Sequence, residues 1–367
     1  MQPDRHRALD NLRVFVIFLV VLLHAALSYM AYAPEWWYVL DPRRSLFFTG
    51  LVLVIDVPIM LIMFFLAGYF TYASLAKRGP RTFLKDKLVR IGLPWIFGVL
   101  VLAPPTTYLI YYSRKVPITF WTFWRMEFWG RAFQQSVYGY LGVLFLFFVL
   151  TALVFALSQR FATWKPEVKI ANRPLLGAFL LITATASLLL SLAYPLDLWS
   201  HIYLLAFQPA RVPLYVGYFA LGLLAHQRGW FTEQGYTPSV ARWLPLCLVS
   251  GLVYLGWRLT PVAQPLFAKV VTALLFNVFC FTSLLASLAV FRAWFGGESA
   301  FWRSQARNSY GVCYLHPLIL YPLALAFVPL PLSIFLKAPA ITLLAYLASW
   351  ALSAAALTRL PGLRRMF

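Results

Sequence analysis

VFVIFLVVLLHAALSYMAYA, residues 14–33, is a run of 20 residues without a charged side chain. At 1.5 Å per residue a helix of that length covers about 30 Å, the thickness of a bilayer's hydrocarbon core. A cleaved leader is the competing reading, because Arg5, His6 and Arg7 precede the run and Ala31-Tyr32-Ala33 resembles a cleavage site. The apolar cores of leaders are shorter, about 7–15 residues, so the run is read as a first membrane-spanning helix. Comparable runs recur to the end of the chain and place further spans at 46–72, 91–112, 138–158, 174–194, 209–226, 242–259, 267–291, 308–329 and 333–357, the first being 12–33. The fold expected is an all-α integral membrane protein: a polytopic bundle of about ten helices forming a single domain over residues 1–367.

Composition agrees. Hydrophobic residues make up 62% of the chain and charged residues 11%, whereas a soluble domain carries about 25% charged residues. The net charge of +20 does not imply a nucleic-acid partner, because the cations sit in short patches between apolar runs. They read as topology signals and contacts to anionic lipid. Cys247, Cys280 and Cys313 all fall within apolar runs, so neither a disulfide framework nor a metal site is expected. With ten spans the two termini share a side. The loops on that side hold 21 Lys and Arg against 10 on the other, which predicts cytoplasmic termini. RTFLKDKLVR (81–90) reads as a short interfacial helix on the cytoplasmic leaflet. On the opposite side stand the aromatic loops Glu35-Trp36-Trp37-Tyr38 and FWTFWRMEFWGRAF (120–133). Two readings remain for them, an interfacial belt or stacking on sugar C–H faces.

Ionisable side chains inside spans are costly and are functional candidates for that reason. Asp10, Arg13 and His24 stand in LDNLRVFVIFLVVLLH (9–24). Arg13 and His24 are eleven steps apart, about three turns and 16 Å, so they share one helix face. By position Arg13 marks the cytoplasmic edge and His24 lies about 15 Å deep. A positive-inside anchor and a helix-bridging histidine are the plain alternatives.

The ten residues between Arg13 and His24 resemble the Arg-x10-His motif of the acyltransferase family 3 membrane proteins. RNSYGVCYLHPL (307–318) is similar to a late helix of that family. QPARVPLYVGYFALGLLAHQRGW (208–230) and TRLPGLRR (358–365) resemble its branch of glucan-modifying succinyltransferases. The family's His-Leu-Trp-Phe-Leu stretch is replaced here by Val137-Tyr138-Gly139-Tyr140-Leu141. The resemblance implies transfer of a short acyl group, acetyl or succinyl in type, from a cytoplasmic acyl-CoA-like donor to a hydroxyl of an extracytoplasmic carbohydrate or envelope acceptor. It implies no permanently bound cofactor, acyl-CoA being a co-substrate, and a bacterial inner membrane.

The residues accommodate that chemistry. A histidine takes a proton near neutral pH, as a general base must, and an arginine's planar fork suits donor phosphates. His24 is the expected base, with Arg13 and Asp10 on the donor side. Asp56, about 15 Å into the second span, matches His24 in depth and is expected to orient its ring, or else to bond a neighbouring helix. His316 precedes Pro317, which biases its backbone away from helix; a second catalytic or donor-binding role and helix packing both stand for it. Arg211, expected at the outer start of the sixth span, fits an anionic acceptor or acyl carboxylate, and equally a headgroup contact. GxSxG, HExxH, P-loop and GxGxxG motifs are absent. A transporter of a small solute or acyl carrier, acting without chemistry, is the alternative function; the inverted repeat that would favour it is not seen in the two halves.

Overall fold

The computed structural model describes residues 7–158, 173–231, 235–260, 265–357, 359–360 and 362–367. His6 and the cations expected in the loop at 159–172 lie outside them. The described chain is helical almost throughout: α1 (Arg7–Leu27), α2 (Leu46–Arg78), α3 (Pro80–Ser113), α4 (Tyr138–Leu157), α5 (Arg173–Ala193), α6 (Val212–Gln227), α7 (Val240–Leu259), α8 (Pro265–Trp294), α9 (Ala300–Phe327) and α10 (Ile334–Leu357). A two-stranded antiparallel hairpin, β1 (Ser200–Ile202) and β2 (Leu205–Phe207), is the one sheet among the described residues. Nine of these helices are long and apolar enough to cross a membrane. The protein is an all-α, multi-pass membrane protein. Many outward-facing residues are large and apolar, including Leu181, Ile182 and Leu252, as a lipid-facing surface requires.

Three expectations about spans are corrected. The first span does not run to Ala33: α1 ends at Leu27, and the backbone folds back. Its last carbonyls accept from the turn that follows, Ala25 O from the Ser28 N–H at 3.2 Å and Ala26 O from the Tyr29 N–H at 3.0 Å, and the next two carbonyls accept from further along the loop, Ser28 O from the Asp41 N–H at 3.0 Å and Tyr29 O from the Ser45 N–H at 2.9 Å. A helix end inside apolar surroundings needs such partners. The segment expected as a separate interfacial helix at 81–90 is instead the first turns of α3, continuous to Ser113 through two wider turns at Leu88–Gly92 and Gly98–Leu102. The sixth expected span is shorter than the bilayer requires: α6 has 16 residues, about 24 Å.

The reason lies in how α6 begins. Arg211 precedes it and bonds Asp56, ten residues into α2. α6 therefore starts at the level of Asp56, and residues 194–211, with the hairpin, fill the space above. From there α6 runs along α2 at the closest possible approach. A Cβ on Gly68 would meet Phe219 O at 2.1 Å, and one on Gly222 would meet Phe65 O at 2.1 Å. Small residues at such crossings let backbones touch, the main source of helix association in lipid.

α1 packs against α2, α8, α9 and α10. Its first turns lie beside the α8–α9 connection: Asn11 Nδ2 donates to Phe295 O at 2.7 Å, and Arg7 pairs with Glu298 at 2.7 Å. α10 ends at the same end of the bundle, where Ser353 Oγ donates to Asn308 Oδ1 of α9 at 3.0 Å. The loop at 28–45 lies at the opposite end, tied to α3 by Arg114, whose Nη2 donates to Glu35 O at 2.6 Å and Trp37 O at 3.0 Å.

Candidate active site

His24 and His316 meet. His24 Nδ1 lies 2.8 Å from His316 Nε2, with the rings stacked at 18° and 5.1 Å between centroids. The sequence of α9 explains the second histidine's pose. Pro317 has no N–H, so the carbonyl four residues back, Cys313 O, loses its helical partner. His316 Nδ1 fills the vacancy at 2.8 Å, with Val312 O at 3.2 Å. The helix itself continues unbroken through Pro317, contrary to the expected departure from helix, because this side-chain bond and neighbouring helices satisfy what the proline frees.

These contacts fix the protons. A carbonyl only accepts, so the His316 Nδ1 carries hydrogen and its Nε2, in the neutral ring, is an acceptor. The His24 Nδ1 must then be the donor. That leaves the lone pair of the neutral His24 on Nε2, which makes no hydrogen bond within the described residues. His316 is wholly buried, whereas His24 is half-buried. Around them stand Trp37, its ring 5.5 Å from that of His24, and Tyr321 at 6.4 Å. Tyr38 stacks on Tyr321 at 4.0 Å, and Ser136 Oγ lies 3.4 Å from Tyr321 Oη. Burial pushes the Tyr38 phenol above its ordinary value, against smaller opposing effects of hydrogen bonds to Ser136 and Thr107, so it is a neutral donor.

The expected partnership of His24 with Asp56 is not formed. Asp56 Oδ2 instead accepts from Arg211 Nη2 at 2.7 Å. Arg211 Nε donates to Leu196 O at 2.8 Å, and its guanidinium lies 4.9 Å from the Phe276 ring centroid. His24 stands in the last turn of α1. Asp56 faces α6 and α8, whereas His24 faces α9. Arg211 is buried against its counter-ion rather than open to headgroups. Arg13 and Asp10 are brought together, Nη2 to Oδ1 at 3.2 Å, and Arg13 Nη2 also reaches Ala306 O at 3.5 Å. Arg13 Nε is buried with no hydrogen-bond partner.

A protein-family comparison now bears on this geometry. A family model described as an acyltransferase domain matches residues 6–354. The chain belongs to the acyltransferase family. It is also similar to the glucans biosynthesis protein C of Salmonella gallinarum (strain 287/91 / NCTC 13346), 24% identical over 251 residues that cover 64% of this chain and 62% of that protein. The chain thus spans less than two thirds of that relative's length.

Several neighbours of His24 were not foreseen from the sequence. Trp37 and Tyr38 were read with the outer aromatic loops, yet both are buried; Trp36, Trp121 and Trp129 are exposed. No local pattern separates Trp36 from Trp37, since their fates depend on how the 28–45 loop folds back. Lys337 was legible: a lysine in an expected span carries the signal that singled out His24. It is fully buried and donates to Asp41 Oδ2 at 2.8 Å.

Proposed function

We propose that this acyltransferase moves a short acyl group, acetyl or succinyl in type, from a cytoplasmic acyl-CoA-like donor to a hydroxyl of an extracytoplasmic carbohydrate or envelope acceptor, in a bacterial inner membrane. One observation carries the reading: His24 is held by His316 as the tautomer whose Nε2 lone pair is free. The acceptor hydroxyl gives its proton to His24 Nε2 while its oxygen attacks the thioester carbonyl. The tetrahedral adduct collapses, the C–S bond breaks, and the imidazolium returns the proton to the departing thiolate. The products are an ester and a free thiol. His316 fixes the ring and its tautomer, as an orienting partner does in a catalytic triad.

Arg13 is assigned to the donor phosphates, with Asp10 steadying its guanidinium. Arg13 lies about 16 Å from His24 along α1, a separation that suits a donor with phosphates at one end and a thioester at the other. The carbohydrate acceptor is supported by the similarity to a glucans biosynthesis protein. No permanently bound cofactor is required, and the whole chain acts as one domain. Transport without chemistry has one feature in its favour, the start of α6 at the level of Asp56, since interrupted helices line transporter sites.

His24→Ala in reconstituted, folded protein is expected to lower acyl transfer by about 10²–10⁴, the usual worth of a general base. Turnover within about tenfold of the parent would remove His24 from the chemistry. Solute flux persisting in the same variant would favour transport.

A further inference from the structure

Lys337 stands in the apolar run IFLKAPA, 334–340, in the first turn of α10. Its Nζ donates to Asp41 Oδ2 at 2.8 Å and to Val328 O at 3.0 Å. Both charged side chains are almost completely shielded, 0% and 3% exposed. Asp41 is saturated on its other side: Oδ1 accepts from the Arg43 N–H at 2.9 Å. A buried ion pair generally stabilises a protein no better than apolar residues of the same size. What this one does is geometric. It fastens the 28–45 loop, which leaves α1 one turn after His24, to the turn between α9 and α10.

That loop is the roof of the histidine pair. Trp37, 4% exposed, packs beside His24, and its Nε1–H reaches back to Ser28 Oγ at 3.4 Å. Tyr38 stacks on Tyr321, one of the rings beside His24. The loop is held on its other flank by Arg114 and by Gln134, whose Nε2 donates to Trp36 O at 3.1 Å. On the α9–α10 flank, Asp41–Lys337 is the buried ion pair beside the Tyr38–Tyr321 stack, with Arg43 Nη2 to Leu330 O at 3.3 Å on the surface.

We propose that Asp41 and Lys337 are positioning residues whose ion pair clamps the 28–45 loop as a cover over His24, so that the acceptor hydroxyl rather than water takes the acyl group. The proposal rests on His24 being the base. With the cover loosened, water attacks the thioester carbonyl in place of the acceptor. His24 takes a proton from water and passes it to the departing thiolate, giving a free carboxylic acid and a thiol. A charge-neutral clamp of similar bulk would leave the helices packed and release only the loop.

The test is Asp41→Asn combined with Lys337→Met in the full chain, reconstituted in lipid, with two readouts. One is amide exchange across 28–45, reporting the Asp41 and Ser45 N–H bonds to Ser28 and Tyr29. The other is the ratio of free acid to ester formed from the thioester donor. The clamp predicts that exchange in this segment rises about tenfold or more while α2, α6 and α8 are unchanged, and that the acid-to-ester ratio rises about tenfold once water reaches the site. Should that double variant not fold, Asp41→Asn with Lys337→Gln, a second neutral pair that leaves no buried charge without a counter-ion and keeps the Arg43 bond, carries the same readouts. Unchanged exchange, or loosened exchange with an unchanged ratio, overturns the proposal. The exchange readout needs no turnover, so failure of the clamp is distinct from failure of His24 as the base, which His24→Ala reports.

Discussion

Two polar centres sit within the helices, and they are built on opposite principles. His24–His316 joins two neutral rings through one hydrogen bond, and the chain of donors ends on a lone pair without a partner among the described residues. Asp56–Arg211 joins two full charges, with Leu196 O and the Phe276 ring completing the arginine's shell. The first centre has an unmet capacity to accept a proton. The second is self-compensated, and its visible consequence is architectural: it sets where α6 begins. Ionisable residues within a membrane protein therefore divide by what their partners leave unsatisfied, and depth along a helix does not make the division.

The contrast is sharpest for activity. Removing His24 sets the scale, about 10²–10⁴ in rate. His316→Ala is expected next, at a smaller loss of about tenfold or more, because the base remains and only its orienting partner is gone. The double variant should lose little beyond His24→Ala, because the two act as one unit. Additive losses in turnover would separate them and reduce His316 to packing.

Asp56→Asn should act on stability instead. Stripping one member from a wholly buried pair costs about 3–5 kcal/mol. Asp56 is 37% exposed against 7% for Arg211, so solvent screening brings the expectation down to about 1–3 kcal/mol. The measurement is the Tm of the reconstituted protein, with turnover of the folded fraction unaltered. A large kcat loss at unchanged Tm would return Asp56 to the chemistry and erase the distinction between the centres.

Arg13→Lys keeps the charge but loses the planar fork. The donor KM is expected to rise about tenfold, the scale of one lost charge-assisted bond, with the acceptor KM unchanged. An unmoved donor KM would make Arg13 an anchor. The smallest effect tests sidedness. A reporter that works only outside the cytoplasm, fused after Phe367, is expected to be silent, since the cation count puts the termini inside; activity there would exchange the donor and acceptor sides.

Helix number, lipid exposure and the membrane class were written in the sequence, because the hydrophobic effect acts on composition and run length, which are local. Candidate histidines were legible for the same reason: a polar group in an apolar run is conspicuous wherever the run ends up. The His-Pro step was read the wrong way: it was expected to turn the backbone away from helix, whereas the His316 side chain meets the carbonyl that Pro317 frees and the helix continues. Pairing was not legible. α1 was read six residues too far because Ser28 to Ala33 is apolar enough to span, and only the partners waiting at Asp41 and Ser45 end the helix earlier. That shift moved His24 from mid-helix to the last turn. The tertiary structure alone decided that His24 meets His316, Asp56 meets Arg211 and Asp41 meets Lys337. Each pair joins residues at least 155 positions apart, and a hydrogen bond selects its partner within about 3 Å, a precision that periodicity along one chain cannot supply.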